Sequence, residues 1–483
     1  MIIHKTKPKF ILYLLAILFF LFLADKPNTA IGATNYYVNG LTGSDSYNGL
    51  SATVEGGGVG PWKTIGKAKT TVPNGNHTIY VAAGIYDLGG TLYWTGSEGG
   101  ESPGYQTWKA EGVVNFASGS YLYFGENTKW MKWEGFTFTG GTWAWGGIIQ
   151  IRGDNFWVYN NTFTDIGRGG ISTYSTVDGC IIESNTIARY KGGGITLEGN
   201  NQTVINNDIS RAALSATQYA SDANGITISG SGHIIRGNYI HDFRFADSPV
   251  GSNPHIDGMQ ANYFGTTHSN ILVEKNHIYF TDTLSNTSQS LAGMMLAGCD
   301  NWTVRNNVIY SFGGIAQGGT GTNSNMKFYN NTIVSYPDAT TYWRAGIDIT
   351  GGSGNVAKNN IISNFWYTSP GGSHSIVSDD SSLTGSNNLI WNSNGAPATV
   401  YRYDSTNDIK DVNPQFTTNY ANLIPLSTSP AINAGATIAD VTDDFFGTSR
   451  PQGSAWDIGA YEYSGAAPPD TTPPSPPAGL QVN

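Results

Sequence analysis

The sequence predicts an all-β solenoid, a parallel β-helix, and three observations predict it. The first is a repeated phrase in which Asn precedes a small or polar residue and then an apolar one. It begins at Asn161-Thr162-Phe163 and recurs at Asn185, Asn207, Asn238, Asn276, Asn307, Asn331, Asn360 and Asn388. The second is the interval: 185 − 161 = 24, 207 − 185 = 22 and 331 − 307 = 24 residues, near one coil of such a solenoid. The third is composition. Charged residues are 12% of the chain, against roughly 25% in ordinary domains, while Gly numbers 62 and Tyr 27 of 483. Between the Asn phrases, β-branched and aromatic residues alternate as strands require, with Gly, Asn and Ser at the corners. No helical period runs through the repeat.

Asn suits a corner because it tolerates left-handed backbone and its amide bonds neighbouring backbone groups. Stacked coil on coil, the Asn side chains are expected to bond one another as a ladder. On that expectation each ladder Asn contributes about 1 kcal/mol.

The chain divides in order. Residues 1–33 read as a secretory signal peptide: His4, Lys5, Lys7 and Lys9 precede an apolar run, Phe10 to Ala24, and small residues follow at Ala30, Gly32 and Ala33. The run is short for a membrane span, so no span is expected after cleavage. Residues 34–75 form a cap segment, 76–410 the β-helix and 411–463 a closing segment. Residues 464–477 are a Pro-rich linker, and Ala478-Gly479-Leu480-Gln481-Val482-Asn483 resembles the start of a fibronectin type III module. The expected protein is secreted or surface-associated, a monomer within a longer multidomain chain. Cys180 and Cys299 fall four coils apart, ~19 Å at ~4.8 Å per coil, beyond the ~7 Å reach of a disulfide. Each is expected to be a small buried hydrophobe. A net charge of −10 argues against nucleic acid or an anionic membrane as partner.

The two ends carry a resemblance. Tyr36-Tyr37-Val38-Asn39-Gly40, Gly43-Ser44-Asp45, Pro61-Trp62-Lys63-Thr64-Ile65 and Thr78-Ile79-Tyr80-Val81 resemble the opening of secreted right-handed parallel β-helix proteins of the pectin lyase-like superfamily. In that group the Trp-Lys-Thr-Ile segment begins a helix that covers the open end of the core. A cap is required because an uncovered first coil exposes both core and strand edge. Ser429-Pro430-Ala431-Ile432-Asn433, Arg450-Pro451 and Asp457-Ile458-Gly459-Ala460-Tyr461-Glu462 resemble the closing segment called a choice-of-anchor domain. The resemblance implies the fold and a carbohydrate partner. It does not choose an activity, because the superfamily holds lyases, hydrolases, epimerases and adhesins.

Stacking the coils places the candidate site. Gly170-Ile171, Gly194-Ile195, Gly225-Ile226, Gly258-Met259, Gly293-Met294, Gly314-Ile315 and Gly346-Ile347 come into register, and the residue after each apolar member faces outward. That column is Ser172, Thr196, Thr227, Gln260, Met295, Ala316 and Asp348. Two residues on lie Tyr174, Glu198, Ser229 and Asn262. Before the strands lie Arg168, Lys191, Asp222, His255 with Asp257, and Arg344. Insertions at Arg211–Asp222, Asp242–Pro254 and Phe280–Ser290 lengthen consecutive coils at one place, which builds walls around a binding face. His255 and Asp257 are thus the expected catalytic centre, with Lys191 and Arg168 beside them. Gln260, Asn262, Glu198, Arg344 and Asp348 are expected to bind substrate, and Asp222 and Asp257 to hold Ca²⁺. Each has a plainer reading as turn or surface chemistry; Trp143 and Trp145, a possible sugar platform, read equally well as packing.

Three function classes fit. A lyase or epimerase on a uronic-acid glycan needs cations to neutralise the carboxylate and a base to take the C5 proton. A glycoside hydrolase needs two carboxylates; Asp222 and Asp257 on adjacent coils lie ~5 Å apart, and Glu198 and Asp257 two coils apart ~10 Å. A non-catalytic glycan-binding or surface module needs neither. The lyase or epimerase comes first, the hydrolase second and the binding module third.

Overall fold

The computed structural model describes residues 32–141, 146–212, 223–244, 256–261, 266–280, 291–318, 321–335, 345–349, 351–365, 374–378, 383–398, 400–401, 403–417 and 423–465. Residues 1–31 of the signal peptide, 466–477 of the Pro-rich linker, 478–483, the three insertions for most of their length, and Trp143 and Trp145 lie outside the described residues.

The chain is a right-handed parallel β-helix. One sheet has 12 strands and a second has 24. The larger runs as two rows that merge in the long strands Thr78–Tyr86, Gln106–Phe116 and Met131–Thr139. Every pairing between named strands is parallel and joins one coil to the next, as with Ile187 against Ile209 and Ile209 against Ile240.

Three inward stacks fill the core: Ile182, Val204, Ile235, Val273 and Val304; Ile187, Ile209, Ile240, Ile278, Ile309 and Ile333; and Ile171, Ile195, Ile226, Met259, Met294 and Ile315, all buried. The early coils use aromatics instead. Trp108 lies flat on Trp133 with centroids 5.2 Å apart, and Phe138 lies flat on Phe163 at 5.1 Å.

The Asn ladder forms at the corner between the two rows of the larger sheet. Asn185 Nδ2 donates to Asn207 Oδ1 at 3.0 Å, Asn207 to Asn238 at 3.0 Å, Asn238 to Asn276 at 2.9 Å and Asn276 to Asn307 at 3.0 Å. The ladder starts at Asn161 and continues through Asn331, Asn360 and Asn388 to Asp408. One detail differs from the sequence expectation. The left-handed residue is the one before each ladder Asn: Ser184, Asn206, Gly237, Lys275 and Asn306 all have φ between 51 and 65°. That residue turns the chain, and the ladder Asn then points inward, where its amide also donates to a carbonyl one coil back, as Asn276 does to Ile235 at 2.9 Å.

The cap is the helix Ile65–Thr71, opened by Thr64, whose Oγ1 accepts the Lys67 N–H at 3.1 Å. Asp45 fixes this entry by accepting from the N–H groups of Lys63 and Thr64 at 3.0 and 2.9 Å. The strand Asn35–Val38 already pairs with Thr78–Val81, so the first sheet strand lies inside the segment read as cap. Both cysteines are free and buried. No helix among the described residues is long and apolar enough to cross a membrane.

The closing segment folds back over the outer face of the later coils. Val308 and Val334 pack with Leu423, Ala460 and Tyr461, and Ile361 and Leu389 with Ala431 and Ile458. This explains why the outward column Thr162, Thr186, Asp208, Tyr239 and His277 turns to Val308, Thr332, Ile361 and Leu389, with Thr332 Oγ1 accepting the Ala460 N–H at 3.0 Å. Arg450 binds Glu462 at 2.8 Å with both side chains fully buried, and donates to the Gly459 carbonyl at 2.9 Å and to Asn306 Oδ1 at 3.3 Å. Asp444 accepts from Phe446, Thr448 and Glu462 N–H groups. The conspicuous Arg and Asp residues of this segment are therefore a staple.

Candidate functional site

The outward face of the 12-stranded sheet is shaped by its glycines. A Cβ on Gly258 would meet Ile278 Cγ2 at 2.9 Å, and one on Gly225 would meet Ile240 Cγ2 at 2.8 Å. Each of these glycines therefore faces the core, as does the apolar residue after it. Two consecutive inward residues break the alternation of a strand. Consequently Asp257 and Gln260, three residues apart, both face outward.

The register is the one read from the sequence. Ser172 pairs with Thr196, Thr196 with Thr227, Thr227 with Gln260, Gln260 with Met295 and Met295 with Ala316. Ile315 against Ile347 brings Asp348 beside Ala316. Earlier coils extend the column to Gln150, Tyr123 and Tyr93.

In the middle coils this face carries buried polar groups. Asn224 Nδ2 donates to Gln260 Oε1 and lies 3.4 Å from Thr227 Oγ1. Gln260 Nε2 approaches Met295 Sδ at 3.8 Å. Asp257 Oδ1 accepts the Ala292 N–H at 3.2 Å, and the residue is fully buried although it faces outward. Asp348 is also buried.

Cations stand on the coils before. Arg168 is buried; its Nε donates to the Gly146 carbonyl at 3.1 Å, and its guanidinium lies 4.4 Å from the Tyr121 ring centroid. Burial holds its pKa below the usual arginine value, against the pull of Tyr121. Lys191 is half-buried beside it, its N–H 3.4 Å from the Arg168 carbonyl. Neither was expected to have a neighbour of equal interest on the far side, yet Arg152 is there. Its guanidinium lies 4.0 Å from the Tyr174 ring and 5.9 Å from Tyr123, and Tyr174 Oη donates to Gln150 Oε1 at 2.9 Å. Sequence reasoning missed Tyr123, Gln150 and Arg152. The available signal was the same register carried back two coils, from Ile171 to Ile149 and then to Leu122.

Glu198 does not join Asp257. It is half-buried, and its backbone is clamped by Thr173, whose Oγ1 accepts the Glu198 N–H at 3.0 Å. Ile195 pairs with Ile226 and Ile226 with Met259, so Glu198 sits five register positions along the strand from Asp257. At ~3.3 Å per residue that is a sideways offset of up to about 16 Å. The ~10 Å carboxylate pair expected from coil counting ignored this offset and is not formed. His255, Asp222, Asn262 and Arg344 lie outside the described residues. Among the described residues no three His, Cys, Asp or Glu side chains cluster as a metal site.

One histidine that had shown no pattern proves to be well placed on the opposite side. His241 lies between Asp208 at 3.0 Å and Asp242 at 3.1 Å and stacks on Tyr239 at 4.0 Å. Burial opposes its charge, but the two carboxylates outweigh that and raise its pKa to about 9.

The family described as "Right handed beta helix region" matches residues 118–221. No curated protein matches the sequence. A solved structure described as "The complex structure of XylC with xylose" is similar at 13% identity and a TM-score of 0.53, covering 89% of this chain and 98% of that one. A pectate lyase, Pel9A, is similar at 17% identity and a TM-score of 0.47, covering 90% and 98%. An alginate lyase with bound trisaccharide is similar at 13% identity and a TM-score of 0.44, covering 89% and 94%. At such identities the likeness speaks for the fold, which is a right-handed parallel β-helix.

Proposed function

We propose that this chain is a secreted polysaccharide lyase or epimerase acting on a uronic-acid-containing glycan, at the outward face of the 12-stranded sheet. The observation that carries this reading is the placing of Arg168 and Lys191 on consecutive coils at the edge of that face, three and two coils before the one bearing Asp257 and Gln260. In a chain of net charge −10, cations gathered on one face favour an anionic ligand there.

The chemistry follows from the acidity of the substrate. The proton at C5 of a uronate leaves only if the adjacent carboxylate is neutralised and a base stands ready. Lys191, two coils from Asp257, supplies the nearer positive charge, and Arg168, one coil further and bonded to Gly146, adds to the positive field along the face. Arg168 supplies it in a buried setting, where the charge is less screened. His255 and Asp257 move the proton. Gln260, Asn262, Glu198, Arg344 and Asp348 hold the sugar hydroxyls and carboxylates. If Ca²⁺ takes part, Asp222 and Asp257 are the ligands, and the ion would add to the neutralising charge.

The test is product analysis on polygalacturonate, alginate and neutral xylan. A lyase creates unsaturated ends that absorb in the ultraviolet. An epimerase changes the proton NMR spectrum of the polymer without shortening it. New reducing ends without unsaturation would replace this reading with a hydrolase, and binding with no product would replace it with a non-catalytic module.

A further inference from the structure

We infer that a second sugar subsite lies on the early coils, where Tyr93, Tyr123, Arg152 and Tyr174 form a strip that binds an anionic pyranose chain away from the reacting sugar. The inference rests on the proposed function and names where the rest of that substrate goes.

The strip is continuous. Tyr93 and Tyr123 have ring centroids 5.3 Å apart, and Tyr93 is 54% exposed. Arg152 lies between Tyr123 and Tyr174 at 5.9 and 4.0 Å. Tyr174 in turn holds Gln150 at 2.9 Å. Pyranose rings pack on aromatic side chains through their apolar faces while a phenol keeps a polar handle at the rim. Stacked rings with a planar cation among them thus offer both contacts that a charged sugar needs.

Arg152 points to the sign of the ligand. Among the described residues it forms no ion pair, although acidic residues outnumber basic ones 35 to 25 in the chain. The nearest carboxylate in sequence, Asp154, is taken by Lys129 at 2.6 Å. Arg152 Nε is buried with no acceptor, a costly state for a charged donor. A uronate carboxylate would satisfy it in the bidentate manner that guanidinium favours.

The distance sets the consequence. From the Arg152 coil to the Asp257 coil are four steps, through Ile171, Ile195, Ile226 and Met259. At ~4.8 Å each this is ~19 Å along the solenoid axis, and Arg152 is offset from Asp257 by five register positions along the strand as Glu198 is, so the subsite lies at least ~19 Å from Asp257. A single sugar ring cannot reach both, so the strip favours polymers over disaccharides.

The experiment is affinity electrophoresis through gels containing polygalacturonate, alginate or xylan, with thermal melts as the folding control. Wild type should be retarded by a uronan and not by xylan. Arg152→Gln should lose about 10–100-fold in affinity, the scale of one charge-assisted hydrogen bond, and Arg152→Lys should retain part of it. Tyr93→Ala, at an exposed position that leaves the core intact, should weaken retardation as a second, independent variant. Turnover of a disaccharide should be unchanged in all three. Equal retardation of wild type, Arg152→Gln and Tyr93→Ala would overturn the subsite and leave the lyase or epimerase reading standing. Retardation lost in Arg152→Gln, with no product from wild type, would support the subsite and overturn the proposed chemistry. No retardation of wild type in either uronan would overturn the subsite as an anionic site.

Discussion

Asn238 Nδ2 donates to Asn276 Oδ1 at 2.9 Å, and the same oxygen accepts the Asn238 backbone N–H at 3.0 Å. One amide thus closes two bonds to the coil before it, while its own Nδ2 serves Ile235, Glu274 and Asn307. Asn276→Ala removes all of these at a fully buried site. The expected loss is about 3–5 kcal/mol, because each buried group left unpaired costs about 1–3 kcal/mol. That exceeds the ~1 kcal/mol of one average hydrogen bond suggested by the sequence. Urea unfolding measures it, and an unchanged midpoint would remove the ladder from the list of stabilising features.

Gly258→Ala should both destabilise the fold and disturb the site. The new methyl would lie 2.6 Å from the Gly293 carbonyl oxygen, and overpacking of this kind costs about 1–3 kcal/mol. Relief requires the strand to shift, which moves Asp257 and Gln260 together. Reduced melting temperature with reduced turnover is expected; normal turnover would show that the inward glycine does not position the site.

His241 should make stability depend on pH. Its folded pKa, about 9, lies above the ordinary 6.5. The stabilisation is therefore complete below pH 6.5 and is lost as pH rises through about 9. Melting temperatures recorded across this window should fall, and His241→Gln should flatten the fall. A slope that survives the substitution would assign it to other groups.

Breaking the Arg450–Glu462 pair should release the closing segment. Glu462→Ala leaves a buried guanidinium without its partner, at a cost of about 3–5 kcal/mol. Limited proteolysis should then cut within residues 411–463 before the coils unfold. Resistance equal to wild type would mean that the apolar contacts of Leu423, Ile458 and Tyr461 hold the segment by themselves.

Asp257→Asn keeps shape and the acceptor for the Ala292 N–H while removing charge. If Asp257 transfers a proton, turnover on a confirmed substrate should drop about 10²–10⁴-fold, with the melting temperature nearly unchanged. Wild-type turnover would move the chemistry to another residue.

The coil architecture was legible in the sequence because a solenoid repeats its local instructions. The spacing of Asn185, Asn207 and Asn238 and the register of Ile171, Ile195 and Ile226 depend on neighbouring coils alone. The outward column from Ser172 to Asp348 followed from the same register. Side-chain direction near the glycines did not. Alternation turns Asp257 inward, and only the packing of Gly258 against Ile278 turns it out. Lateral offset was equally hidden, since counting coils places Glu198 near Asp257 but says nothing of their positions along the strand. Contacts between distant segments, such as Arg450 with Asn306 and Arg152 with Tyr174, also required the folded chain. Repetition encodes what stacks on what, because each coil repeats the hydrogen bonds of the last. Burial, charge pairing and the direction of a single side chain depend on three-dimensional neighbours that no repeat specifies.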